Sequence, residues 1–183
     1  MAADASLVGQ APRSGTGNAT TSAGSVTTGD TTIIIVCSEA ATNVASVQDS
    51  VGNTYTEIDT AQTDGNGGHI RMWRCQNATG NAAMTATANT FRDGEVYLVK
   101  ATNVTTTSFD VTTKGSDAAT PYTLASGTLG QADEVIITAC MANAASGASY
   151  ASSNTTIIGQ QPDWSLYYTS GISKLVVAAT TLP

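Results

Sequence analysis

This chain is short of charge. Only 11% of its 183 residues are Asp, Glu, Lys or Arg, against about 25% in an ordinary globular protein. Lysine is reduced to Lys100, Lys114 and Lys174, and seven scattered basic residues face fourteen acidic ones, a net charge of −7. No positive stripe is available to neutralise phosphates, which argues against a nucleic-acid partner. Few lysines also means few charged blocks on strand edges, so those edges are expected to be covered by partner subunits. Histidine is reduced to His69. Any Ser-His-Asp or Cys-His arrangement would have to use it, and one histidine with three dispersed cysteines makes no zinc set. A Gly-x-Ser-x-Gly elbow and a phosphate-cradling Gly-Lys-Ser/Thr loop are both missing. The loop Asp64-Gly65-Asn66-Gly67-Gly68 mixes acid and glycine but lacks the spacing and distal Glu of a calcium hand. The expectation is no catalytic residue, no cofactor and no metal.

Long apolar runs are missing too. The longest are strand-length, far below the ~20 residues a bilayer needs, so no membrane partner is expected. Met1-Ala2-Ala3-Asp4 has neither the basic start nor the apolar stretch of a secretion signal. Cys37, Cys75 and Cys140 form no Cys-x-x-Cys pair. Cys37 and Cys140 sit at comparable points of two apolar runs and read as buried free thiols, although a bridge between them stays open without geometry. Reduced thiols point to assembly in a cytoplasm.

What fills the gap is Thr, Ala, Ser, Gly and Asn. Thr is β-branched and suits a pleated, half-wet surface, while Gly, Asn and Ser suit turns. Thr31-Thr32-Ile33-Ile34-Ile35-Val36-Cys37-Ser38 is the longest β-branched run, echoed by Asp133-Glu134-Val135-Ile136-Ile137-Thr138-Ala139-Cys140. Consecutive apolar positions predict strands buried on both faces, here the matched inner strands of a sandwich. His69–Cys75 alternates, with Ile70 and Met72 on one face and His69, Arg71 and Trp73 on the other. Arg71 beside Trp73 is a candidate stacking pair. Val44 to Ile58 reads as a hairpin around a turn at Asp49–Asn53, with Gly52 taking positive φ and Asp49 and Asn53 bonding nearby amides. Further strands are expected at Ala82–Ala88, Gly94–Ala101, Ser108–Thr112, Trp164–Thr169 and Lys174–Thr180. The two halves share an order of buried strand, aromatic strand and Ala/Thr strand.

Residues 1–27 carry almost no periodicity. Such a segment alone would not offset its ordering entropy. It is expected to be an extended arm lying on a neighbouring subunit, the alternative being its own sandwich. Leu7, Val8, Pro12 and Arg13 are its candidate assembly contacts. Residues 28–183 are expected to form the β-sandwich domain.

Paired carboxylates could hydrolyse glycosides. The candidates are Glu57, Glu95, Asp110, Glu134 and Asp163; Glu134, which opens a strand, and Asp163, which precedes Trp164, read as ordinary edge charges. Trp73, Trp164 and Tyr168 could instead stack on a sugar; the competing reading packs these rings between sheets.

The stretch Val47-Gln48-Asp49-Ser50-Val51-Gly52-Asn53-Thr54-Tyr55, followed by the aromatic strand and the Ala/Thr strand, resembles a group of β-sandwich domains in tailed-phage virion proteins and bacterial surface proteins. The likeness runs over roughly residues 28–180 as an order of elements and is sharp at Asp49–Tyr55. It implies an all-β, antiparallel β-sandwich, jelly-roll or immunoglobulin-like, with Asp49, Gly52, Asn53 and Tyr55 shaping a structural turn. No catalytic residue carries over. The bare domain and low-complexity arm favour a virion part over an adhesin. The expected role is a phage capsid decoration or cement protein, assembled in the host cytoplasm, oligomeric and bound to the shell. The alternative is a tail-fibre or carbohydrate-binding module.

Overall fold

The computed structural model describes residues 3–39, 44, 46–58, 62–63, 68–104, 134–143, 156–165 and 168–177. Among these it contains strands and turns and no helix. In chain order the strands are β1 (Asp4–Thr20), β2 (Gly24–Val26), β3 (Thr31–Ser38), β4 (Ser46–Asp49), β5 (Thr56–Glu57), β6 (Gln62–Thr63), β7 (His69–Cys75), β8 (Asn81–Met84), β9 (Ala86–Thr102), β10 (Glu134–Asn143), β11 (Thr156–Ser165) and β12 (Tyr168–Val177). All pairings are antiparallel. The main sheet runs β1-β9-β3-β7-β5, with β4 also on β9 and β6 on β7. A second sheet runs β10-β12-β11, and β2 pairs with β8. The chain is thus all-β and antiparallel, compatible with a sandwich.

β3 is buried at all eight positions. It lies between β9 and β7, and alternation sends its side chains into two separate cores. Ile34 and Val36 join Val26, Trp73, Met84, Phe91, Val96 and Leu98 on one face. Ile33, Ile35 and Cys37 join Ala5, Tyr97, Val99 and Ala101 on the other, where Val135, Ile137, Ala139 and Met141 of β10 pack against them. Fully burying each of these isoleucines stabilises the fold by about 1.5–3 kcal/mol. The echo run behaves differently. β10 is only half-buried from Val135 to Met141, and its described pairing is to β12 alone. Among the described residues it does not lie between two partner strands as β3 does.

Three further expectations change. The segment expected to lie on a neighbouring subunit follows the alternative instead: most of it is strand β1, paired within the chain with β9 from Asp4↔Thr102 to Thr20↔Thr87. Its small side chains suit this: Ala5 and Ala19 are buried, and the ladder itself satisfies the backbone. The hairpin expected across Asp49–Asn53 does not form, because β4 pairs with β9 while β5 pairs with β7. The turn links two strands that have different partners. Finally, the strand expected at Ala82–Ala88 is divided between β8 and β9, and β9 runs on through Thr90 (φ 51°) and Asp93 (φ 32°) to Thr102. Ser108–Thr112 lies outside the described residues.

Candidate functional site

Two clusters of polar side chains stand out. The first is built on the turn after β4. Asp49 is buried. Its Oδ1 accepts from the backbone amides of Val51 (3.0 Å), Gly52 (2.8 Å) and Asn53 (3.1 Å). Its Oδ2 accepts from Asn53 Nδ2 (2.8 Å) and the Tyr55 hydroxyl (2.9 Å). Gly52 sits at φ 82°, a left-handed conformation that a side chain would strain. Asn53 then reaches the strand connection after β7: its Nδ2 donates to the Thr79 carbonyl at 3.0 Å, and its Oδ1 accepts from the Thr79 amide at 2.9 Å. The Tyr55 hydroxyl also lies 2.9 Å from Thr32 Oγ1 on β3. Burial, the largest influence, pushes the Tyr55 phenol above its usual range. The structure therefore brings Asp49, Gly52, Asn53 and Tyr55 into one clamp that ties β4, β3 and the β7–β8 connection together.

The second cluster is inside the layer between the two larger sheets. Glu95 is on β9, opposite Cys37 of β3 and Pro12 of β1, and shares the inward face of Tyr97 and Val99. It is fully buried, and among the described residues neither carboxyl oxygen has a hydrogen-bond partner. Burial pushes its pKa from 4.5 up to about 8, so it is a neutral acid at neutral pH. Neighbouring Gly94 is required here, since a Cβ would stand 2.1 Å from the Cys37 carbonyl oxygen. Cys37 is a buried free thiol, held protonated chiefly by burial, with Cys140 and Glu95 adding to the effect. Cys140 is also free. On β10 it alternates with the inward Ala139 and Met141. Two residues from Glu95, the Tyr97 hydroxyl shares a 2.8 Å hydrogen bond with Ser170 Oγ of β12.

No family model, curated protein or solved structure matches this chain. Its residues therefore have to speak for themselves.

Of the candidate glycan-stacking residues, Trp73 is the one whose side chain is described. Trp73 is 7% exposed and belongs to the core. The Arg71 guanidinium covers it at 4.7 Å from the ring centroid, the stacking pair that the alternation on β7 predicted. Arg71 is held in turn by Glu57, at 2.7 and 2.8 Å, and by the Val44 carbonyl at 2.9 Å. Trp73 therefore offers no open ring to a sugar. Trp164 lies on β11 and Tyr168 opens β12, opposite Ser165; their side chains are outside the description.

The two candidate carboxylates with described side chains, Glu57 and Glu95, do not face each other. Glu57 pairs opposite Trp73 on one face of the main sheet, and Glu95 lies on the other. Glu134 begins β10 and Asp163 lies on β11, with side chains outside the description, and Asp110 lies outside the described residues. His69 opens β7, half-buried, opposite Ser38 and Thr63. Among the described residues, no three His, Cys, Asp or Glu side chains are grouped to hold a metal ion.

Of the candidate assembly contacts of the leading segment, Leu7 and Val8 are spent on the chain's own fold. Leu7 packs in the inter-sheet layer and Val8 in the opposite core. Pro12 is exposed opposite Glu95, and Arg13 donates to the Thr16 carbonyl at 2.7 Å. Glu95 had no distinguishing signal in the sequence beyond its place directly after Gly94 and before the apolar run Val96–Val99.

Proposed function

We propose that this chain is a structural protein of a phage particle, a decoration or cement protein folded as a β-sandwich, that works by fitting against a shell and against copies of itself. The observation that carries this reading is the Asp49 clamp. The one stretch that resembles virion β-domains uses its polar atoms to hold three parts of the fold together. The sparse charge fits the same role, because a contact built from uncharged surface is little weakened by salt. Repetition over a shell would supply avidity without strong single contacts. In this reading the sandwich and the leading segment both touch the shell, the outer edge of β1 bordering no further strand among the described residues.

The test is assembly. Light scattering on the purified full chain, and antibody labelling of particles from its source, should find an oligomer and a labelled particle surface. A monomer that labels no particle would overturn the proposal.

A further inference from the structure

We propose that Glu95 is a proton-operated latch between the two larger sheets: as a neutral acid it lets the layer close over it, and its ionisation lifts the three-stranded sheet from the main one. The inference stands independently of the virion reading.

The geometry carries it. Glu95 is fully enclosed and its two oxygens make no hydrogen bond among the described residues. An anion in that place would have neither water nor a partner, a state that burial makes very costly. Among the described side chains nothing comes to meet it. β3 contributes the Cys37 thiol, which burial holds protonated. β1 contributes Pro12 and Gln10, which carry no charge, while Arg13, opposite Gly94, is turned to the other face. β7 contributes Ile70, which completes the row through Cys37. β10 turns the uncharged Ala139 and Met141 inward, with Cys140 between them on the opposite face, and β11, which also packs against β9, brings Ile158 among its described side chains. On β12, Lys174 is engaged with Asp4, at the far end of the β1–β9 ladder from Glu95.

Relief therefore requires the layer to open, and the second sheet is the side that can give. β3 is buried throughout whereas β10 is half-buried. The described polar ties between the sheets include Tyr97 to Ser170, Gln10 Nε2 to the Gln160 carbonyl at 3.1 Å, and the Lys174–Asp4 pair. Gly94, pressed against the Cys37 carbonyl, keeps β9 from shifting sideways to bring Glu95 to water. Exposed, Glu95 would ionise near its ordinary 4.5, while burial keeps it protonated up to about pH 8, so the closed layer should lose its advantage through neutrality and level off above about pH 8.

Amide hydrogen exchange on the full chain, from about pH 6 to about pH 9.5 and corrected for the intrinsic rate, tests this. Between about pH 7 and about pH 9, protection in β10–β12 should fall about tenfold while β3 and β7 keep theirs. Glu95→Gln should abolish the pH step. An equal step in both proteins overturns the latch, as does a loss spread evenly over β3 and β7, or no step at all. Should Glu95→Gln fail to fold, the infrared band of the protonated carboxyl in the unaltered protein decides. Loss of the band in step with β10–β12 exchange supports the latch; loss of the band with the sheets still protected overturns it.

Discussion

Replacing Asp49 by alanine removes the acceptor for five hydrogen bonds at once, three from backbone amides and two from side chains. The cost is not five times that of one bond. Gly52 is exposed and Val51 and Asn53 are half-exposed, so water can replace part of what their amides lose. Asn53 Nδ2 keeps the Thr79 carbonyl, and Tyr55 keeps Thr32. Hydrogen bonds to a charged group are worth about 1.5–3 kcal/mol each before such replacement. A net loss of about 3–4 kcal/mol is expected for Asp49→Ala. Asp49→Asn should lose about half as much, because Oδ1 survives while its new amide meets the Asn53 amide donor to donor. Tyr55→Phe should cost about 1–2 kcal/mol, since it strips a partner from fully buried Thr32. The two sites share one bond, so the double variant should fall short of the sum by about 1 kcal/mol. Urea unfolding with an unchanged m-value measures all four. If Asp49→Ala loses less than about 1 kcal/mol, or if the double variant is strictly additive, the clamp does not hold the fold as argued.

Glu95 makes stability depend on pH in a stated direction. Above its ordinary value of 4.5 the unfolded chain releases the proton while the folded chain keeps it. Stability should therefore fall as pH rises from about 4.5 to about 8 and then level off, by at most about 5 kcal/mol from this group; a flat profile in chemical denaturation counts against the burial. Tyr97→Phe removes the hydroxyl that meets Ser170 across the layer and should cost about 1–2 kcal/mol in urea unfolding, with a loss of a few tenths contradicting the cross-sheet bond. Deleting residues 2–24 strips β1 from β9 and uncovers both cores; the truncated chain should lose its cooperative transition, and a well-folded truncated monomer by circular dichroism would show that β1 is not part of the sheet.

Some of this was legible in the sequence, and the reasons divide by physics. β7 was read residue by residue because alternation is a local signal and the strand has a different core on each face. β3 was legible because an uninterrupted β-branched run has few other uses. The Asp49 clamp was legible because Asx-type bonds are made to amides only two to four residues away. What failed was pairing. The run around Asp49 looked like a hairpin because nearby strands usually pair, yet β4 and β5 take partners from opposite sides of the main sheet. β1 was read as an arm because Ala, Ser, Gly and Thr give no period, and a strand held mainly by its ladder leaves none. β10 copied the composition of β3 without its position, which depends on distant strands. Glu95 enters only as one candidate carboxylate among five, because nothing local announces that a second sheet closes over it.

The length of the β1–β9 ladder has a consequence for how the protein is made. Asp4 pairs with Thr102, so 98 residues of synthesis separate the two, and a ribosome adding about 5–20 residues per second takes about 5–20 s to cover that distance. During that interval the leading strand has no template. Where many nascent chains crowd together, the first unoccupied β9 it meets can belong to another molecule, and a ladder formed there would fasten two polypeptides together with the same backbone bonds that close one.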